Sequence, residues 1–255
     1  MVRIILSGCN GRMGKVISAM AAEDPELEIS AGIDVMDDNS NPFPVYAGFD
    51  TCTADGDVIV DFSSPKAFEG MMSFAVGRGI PAVVCTTGLS EEQLTLLQAA
   101  SKKVAVLRSA NMSLGINLIM KVLRDVAPVL NRAGFDIEIV ERHHRNKKDA
   151  PSGTAISLAD SINEALGGSM EYVYDRSGRY EARGDKELGI SAVRGGSIVG
   201  DHEVIFAGTD EVVELRHTAN SRAIFAKGAL EAARFLAGRN PGFYDMSDVI
   251  GEQIQ

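Results

Sequence analysis

The stretch that most restricts the fold lies at the start of the chain. Residues 2–6 are a short apolar run, Gly8-Cys9-Asn10-Gly11-Arg12-Met13-Gly14 follows at once, and residues 13–22 then have helical composition without a breaker. Strand, glycine loop and helix in that order open a parallel β-α-β unit, since parallel neighbours must be joined by a crossover. A backbone bare of side chains lets a pyrophosphate approach, and the N–H groups at the start of the helix meet its charge. The glycines stand three apart instead of in the common G-x-G-x-x-G spacing, so the loop by itself also fits a tight turn with no ligand.

Asp34 narrows that choice. It ends the next strand-like run, residues 27–33, about 20 residues beyond the last glycine, where an acid can accept hydrogen bonds from a ribose. The plainer reading is an exposed turn acid. No Lys or Arg occurs from 16 to 65, so the usual basic partner of a 2′-phosphate is missing behind that strand, and NADH is expected to be used well. Arg12 could reach such a phosphate from the glycine loop, which keeps NADPH open.

Strand-like runs at 57–62, 81–85 and 104–107 alternate with helical stretches at 66–77 and 90–100, and the small-residue loops Cys85-Thr86-Thr87-Gly88 and Ser109-Ala110-Asn111-Met112 follow two of those strands. Alternation of this kind specifies an α/β class with a Rossmann-like doubly wound parallel sheet, whose ligands lie at the carboxyl ends of the strands. Beyond Asn111 the pattern changes. A long helical run at 114–130, which Pro128 could kink or shorten, leads to a strand at 135–140, a helix at 154–166 capped by Ser152, and strand-like runs at 190–193, 203–207 and 212–217. This second region reads as α+β with a mixed sheet, and residues 167–189 as its most flexible loop. Helical composition returns at 222–236 and is expected to pack on the first domain. The expected division is a dinucleotide-binding domain at 1–112 completed by 219–255, and a substrate-binding and oligomerisation domain at 113–218.

Composition excludes several functions. A net charge of −10 argues against nucleic acid as a partner, because phosphate neutralisation needs clustered Lys and Arg. The apolar runs are far shorter than a membrane span, and the first strand follows Met1 too closely for a leader, so a cytoplasmic protein with no membrane partner is expected. Cys9, Cys52 and Cys85 lack metal or redox-pair spacing and read as reduced packing residues, so neither a disulfide nor a metal is expected.

One basic cluster stands out. Residues 142–148 hold Arg142, His143, His144, Arg145, Lys147 and Lys148, read as lying just after a strand, and Pro151-Ser152-Gly153-Thr154 then leads into a helix. Backbone N–H groups and the Thr154 hydroxyl suit one carboxylate of a dicarboxylate, while His144 and nearby cations suit the other. His143 or Lys147 can deliver a proton as hydride arrives. The competing readings are a solvated basic loop and a metal-binding His pair. The second is poor, because adjacent side chains on extended backbone diverge and no third ligand follows at helical spacing.

These residues resemble the 4-hydroxy-tetrahydrodipicolinate reductase (dihydrodipicolinate reductase) family along essentially the whole chain. The resemblance rests on the loop from Gly8 to Gly14, Asp61-Phe62-Ser63, Thr86-Thr87-Gly88, the run from Asn111 to Asn117, Glu141 to Thr154, Arg194-Gly195-Gly196, Ile198 to His202, and His217 to Arg222. It implies that a reduced nicotinamide gives hydride to the conjugated imine ring of a dicarboxylate, in lysine and diaminopimelate biosynthesis. By position it implies His143 and Lys147 in proton transfer and His144, Gly153 and Thr154 in substrate contact. Gly8, Cys9, Asn10, Gly11, Arg12, Met13, Asp34, Cys85, Thr86, Thr87, Ser109, Ala110, Asn111 and Met112 are the expected cofactor contacts. It also implies a first domain completed by the C-terminal helix, and a homotetramer built through the second domain's sheet. Two departures stand out: Cys85 where the family often has glycine, and Val35 rather than a basic residue after Asp34. The rival readings are a related dehydrogenase acting on another small acid and a nucleotide-sensing module that binds without turnover.

Overall fold

The opening strand β1 (Val2–Ser7) is buried over its last four residues and pairs in parallel with β2 (Leu27–Ile33) on one side and β4 (Val58–Asp61) on the other. The computed structural model describes residues 1–37 and 39–253. Around β1 a seven-stranded parallel sheet forms in the order β12-β6-β5-β4-β1-β2-β3, with β3 (Val45–Tyr46), β5 (Ala82–Val84), β6 (Ala105–Leu107) and β12 (Gly242–Tyr244) as the remaining strands. The chain steps outward from β1 through β2 to β3 and then returns to the other side of β1 at β4. Strand order therefore reverses between β1 and β4, where open α/β sheets leave a crevice for ligands.

Ile4, Ile5 and Leu6 of β1 and Val58, Ile59 and Val60 of β4 are fully buried, as expected of strands covered on both faces. Helices α1 (Arg12–Ala22), α2 (Phe68–Arg78) and α3 (Glu91–Ser101) supply the crossovers. A capping box starts α3, with Ser90 and Gln93 each satisfying the other's backbone N–H. The chain divides into two compact units, Met1–Ser113 with Ala223–Gln255, and Leu114–Arg222. Asp38, Ile254 and Gln255 lie outside the described residues, the last two within the C-terminal segment expected to complete the first domain. In the first unit α6 (Ala223–Leu236) packs against α1, β4 and β5.

The second unit is a five-stranded mixed sheet in the order β11-β10-β7-β9-β8, formed by β7 (Asp136–His143), β8 (Glu171–Val173), β9 (Glu187–Arg194), β10 (Gly200–Ala207) and β11 (Val212–Ala219). One face is covered by α4 (Leu114–Arg132) and α5 (Gly153–Ala165). Pro128 lies inside α4 without shortening it.

Three differences from the sequence reading have physical causes. Strand β7 runs through His143 instead of stopping at Val140, because β9 and β10 pair with it as far as Arg194 and Asp201. Residues 167–189 are not one flexible loop. They contain β8 and the start of β9, and Arg176 bridges Glu138 and Glu187 while Arg183 reaches Asp136 and Glu138. The short β3 and β12, and α7 (Met246–Gln253), have too few residues to show a period.

Two glycine substitutions test the packing of α6. A methyl at Gly228 would lie 1.7 Å from the Met112 carbonyl oxygen, whereas Gly77 in α2 meets nothing within 4 Å. Gly228→Ala should cost about 1–3 kcal/mol. Gly77→Ala should gain about 0.5–1 kcal/mol by restricting the unfolded chain. Urea unfolding of both variants reads the opposite signs.

Candidate active site

In the first unit the turn from β1 into α1 is as tight as its glycines allow. Gly8 has φ +80°, and a Cβ there would sit 2.6 Å from the Phe62 carbonyl oxygen; one on Gly14 would sit 2.2 Å from that of Gly8. Only glycine tolerates both the left-handed backbone and the approach to the neighbouring loop. The turn closes through the Gly11 N–H donating to the Gly8 carbonyl at 3.1 Å, and Gly11 then begins α1 with no side-chain cap. The N-terminal end of α1 thus opens beside the bare loop.

Asp34 is tied to this turn. Its carboxylate accepts from the Asn10 N–H at 3.0 Å and from the Met36 N–H at 3.3 Å, and Asn10 also bonds the Met36 carbonyl and Asn41. Each Asp34 oxygen keeps acceptor capacity for a ribose hydroxyl. Gly8, Gly11 and Asp34 share one cavity of about 710 Å³ with Ser7, Phe49, Ser63 and Lys66. Two buried hydroxyls, Ser7 Oγ on this cavity and Thr86 Oγ1 beyond β5, have no hydrogen-bond partner among the described residues. A bare loop, a helix start, an acid at the end of the second strand and the unmet Ser7 hydroxyl fit a dinucleotide.

The other expected cofactor contacts are spread differently. Cys9 is fully buried with its sulfur against Gly32, and burial pushes its thiol up to about 11, so only its backbone is offered to a ligand. Asn10 serves Asp34, Arg12 is exposed at the start of α1, and Met13 is half-buried. Cys85, Thr86 and Thr87 follow β5, and Ser109, Ala110, Asn111 and Met112 follow β6, but none of these seven lines the cavity. Burial and the nearby Asp61 carboxylate raise the Cys85 thiol, so it stays neutral and is no nucleophile. Lys66 was not foreseen. It directly follows the stretch 16–65 that holds no Lys or Arg, and the turn after β4 brings it to the cavity that holds Asp34.

In the second unit the period of β7 organises the cluster. Ile137, Ile139, Glu141 and His143 alternate onto the buried face. Their neighbours on β10 are Phe206 beside Ile137, Val204 beside Ile139 and His202 beside Glu141; on β9, Arg194 lies beside His143. Two apolar rows therefore give way to two polar rows on one surface of the sheet. Glu141 is fully buried and accepts four hydrogen bonds: His143 Nδ1 at 2.6 Å, Arg194 Nη1 and Nη2 at 2.7 Å each, and the Ser152 N–H at 2.9 Å. Burial works to raise this carboxyl's pKa, but the Arg194 guanidinium, His143 and the Ser152 amide outweigh it and hold it below the usual range.

Ser152 caps α5 by accepting from the Ala155 N–H at 3.2 Å, and its hydroxyl also meets His202 Nε2 at 3.0 Å. His144 and Lys147 belong to the turn that follows β7, where the Lys147 N–H donates to the His144 carbonyl and Lys147 Nζ pairs with Asp149 at 2.9 Å. Gly153 and Thr154 are the first residues of α5. Five expected residues thus lie on one strand end, one turn and one helix start. Sequence reasoning gave no role to Glu141, Arg194 or His202, although continuing the alternation of β7 by two residues exposes the first.

Two family models cover the chain: dihydrodipicolinate reductase, N-terminus, over residues 2–112, and dihydrodipicolinate reductase, C-terminus, over residues 115–250. A curated relative named 4-hydroxy-tetrahydrodipicolinate reductase, from Caldanaerobacter subterraneus, is 51% identical over 252 residues, 98% of each chain. One of the same name from Clostridium tetani is 46% identical over 246 residues, 96% of each. Among solved structures, dipicolinate-bound dihydrodipicolinate reductase from Paenisporosarcina shares the fold at TM-score 0.81 and 24% identity, over 97% of this chain and 99% of that one.

His202 makes a pH test available. Burial, then the neighbouring His143, lower its pKa from 6.5 to about 4, so the folded chain keeps it neutral. An unfolded chain takes up that proton below about 6.5, so stability should fall as pH drops from about 6.5 to about 4, by roughly 3 kcal/mol in all. His202→Gln should flatten this part of a thermal-denaturation profile. A slope unchanged in the variant would remove His202 as its cause.

Proposed function

This chain belongs to the dihydrodipicolinate reductase family, and on that premise we propose that it reduces 4-hydroxy-tetrahydrodipicolinate, by way of dihydrodipicolinate, to tetrahydrodipicolinate in lysine and diaminopimelate biosynthesis. Loss of water gives the conjugated imine, and one hydride plus one proton then saturate a double bond of the ring. The observation that carries the reading is the fully buried Glu141 carboxylate, which ties His143 at the end of β7 to the Ser152 amide at the start of α5, with Lys147 in the turn between them. A reduced nicotinamide, when bound, supplies the hydride.

The chain's own residues do the rest. Gly153, the Thr154 hydroxyl and the positive end of α5 receive one substrate carboxylate, and His144 with the neighbouring cations receives the other. Positive charge around the ring favours hydride arrival, an electrostatic contribution already in place before the reaction. His143 and Lys147 are the groups that deliver the proton. The loop from Gly8 to Met13 and Asp34 hold the dinucleotide, with Cys85, Thr86, Thr87 and Ser109 to Met112 toward its nicotinamide end.

Both NADH and NADPH are accepted in this reading, NADH well because Asp34 suits a free ribose, and NADPH because Lys66 supplies a cation on the same cavity. The active form is a homotetramer joined through the outer face of the second sheet, where Arg142 pairs with Glu203 and Arg216 with Asp201 beside exposed Val193 and Val212. Cytoplasmic residence accords with a biosynthetic role; among the described residues no helix is long and apolar enough to cross a membrane.

The test is oxidation of NADH and NADPH by the purified chain, supplied with product made freshly from pyruvate and aspartate semialdehyde by the preceding synthase. Turnover that needs both precursors is expected. Cofactor binding without turnover would favour the sensing module. His143→Ala and Lys147→Ala should each lower kcat by roughly 100-fold or more while leaving NADH affinity nearly intact. Lys66→Ala should raise KM for NADPH by roughly tenfold with little change for NADH, since one charge-assisted contact is lost.

A further inference from the structure

Resting on the reading of His143 as a proton-transfer group, we infer that Glu141 is its positioning residue: it fixes the ring proton on Nδ1 and leaves Nε2 as the nitrogen that exchanges a proton during reduction. A carboxylate within 2.6 Å of Nδ1 can only accept there, so Nδ1 carries hydrogen in both charge states of the ring. Glu141 cannot turn away, because Arg194 holds both of its oxygens and the Ser152 amide holds one. Four donors meet the four lone-pair sites of a carboxylate that is 0% exposed.

The rest of the surroundings agree. Nε2 lies beside Gly200, where a Cβ would come within 3.1 Å of it, so the free nitrogen borders a position that a side chain would crowd. The His202 ring packs edge-on against His143 with centroids 5.1 Å apart, and its Nε2 is engaged with Ser152, so it does not compete for Glu141. Arg194 also donates to the Asp149 carbonyl at 2.6 Å, and Asp149 is the partner of Lys147. One guanidinium therefore links both proton-transfer candidates.

The ring nitrogens can be read directly. In the intact protein, 15N-edited NMR of the neutral His143 ring, assigned with His143→Gln, should show hydrogen on Nδ1 and none on Nε2. Glu141→Gln should abolish that preference and lower kcat by roughly 100-fold with KM nearly unchanged, in the range that positioned acid–base groups contribute. Gly200→Ala keeps Glu141 in place, so it should lower kcat while the proton stays on Nδ1. Hydrogen on Nε2 in the unsubstituted protein overturns the inference, and this holds even where Glu141→Gln does not fold. An unchanged tautomer and kcat in a folded Glu141→Gln also overturns it. The underlying reading fails separately: His143→Ala with undiminished kcat would remove the proton-transfer role whatever the tautomer.

Discussion

A carboxylate with no exposure to water is the constraint around which the second unit is arranged. Glu141 sits on the face of β7 that buries Ile137 and Ile139, so it cannot reach solvent without reversing the strand. Left unpaired, a buried charge of this kind would neutralise or destabilise the fold. The Arg194 side chain, the Ser152 amide and the His143 ring remove that cost together, and they come from β9, from the residue that caps α5 and from β7 itself. Folding of the unit and assembly of the cluster are thus one event, since the donors reach Glu141 only when strands and helix are in place.

The first unit meets a different demand. The central strands of its sheet, β4, β5, β6 and most of β1, are buried on both faces, so the polar groups of the site gather at the carboxyl ends of the strands. There Gly8 lets the chain pass against the Phe62 carbonyl, and Asp34 reaches back to the Asn10 amide. The glycine loop after β1 and the acid after β2 are therefore joined directly by a hydrogen bond. The Gly8 to Gly14 spacing, unlike the common fingerprint, is accommodated because Gly14 faces the carbonyls of Gly8 and Cys9 directly.

Much of this was legible beforehand, and the reason differs by region. The alternation of strands and helices in the first unit is written in short apolar runs separated by helical stretches. The identity of the basic cluster was visible because His143, His144, Lys147 and Thr154 lie within one short segment. What stayed hidden depends on pairing between distant strands. Arg194 is 53 residues from Glu141, and nothing local marks it as the partner of a buried acid. Lys66 is hidden for a related reason: the chain just behind Asp34 holds no basic residue, and the fold supplies one from the turn after β4. The charged end of β7 reads as a loop in sequence because its extension depends on pairing with β9 and β10.

The two proton-transfer candidates stand on very different ground. His143 ends a strand flanked on both sides, by β9 and β10, while Lys147 belongs to a turn tied by the Lys147 and Arg145 N–H groups to the His144 and Gly196 carbonyls, by its ion pair with Asp149 and by Arg194 at the Asp149 carbonyl. Amides in a central strand exchange with solvent mainly when the whole cooperative unit opens, whereas turn amides exchange through small local fluctuations. Heat or denaturant should then silence the imidazole only with the sheet itself, but could release the lysine first. The two candidates are therefore held by structure of different local stability, one by a sheet and one by a turn.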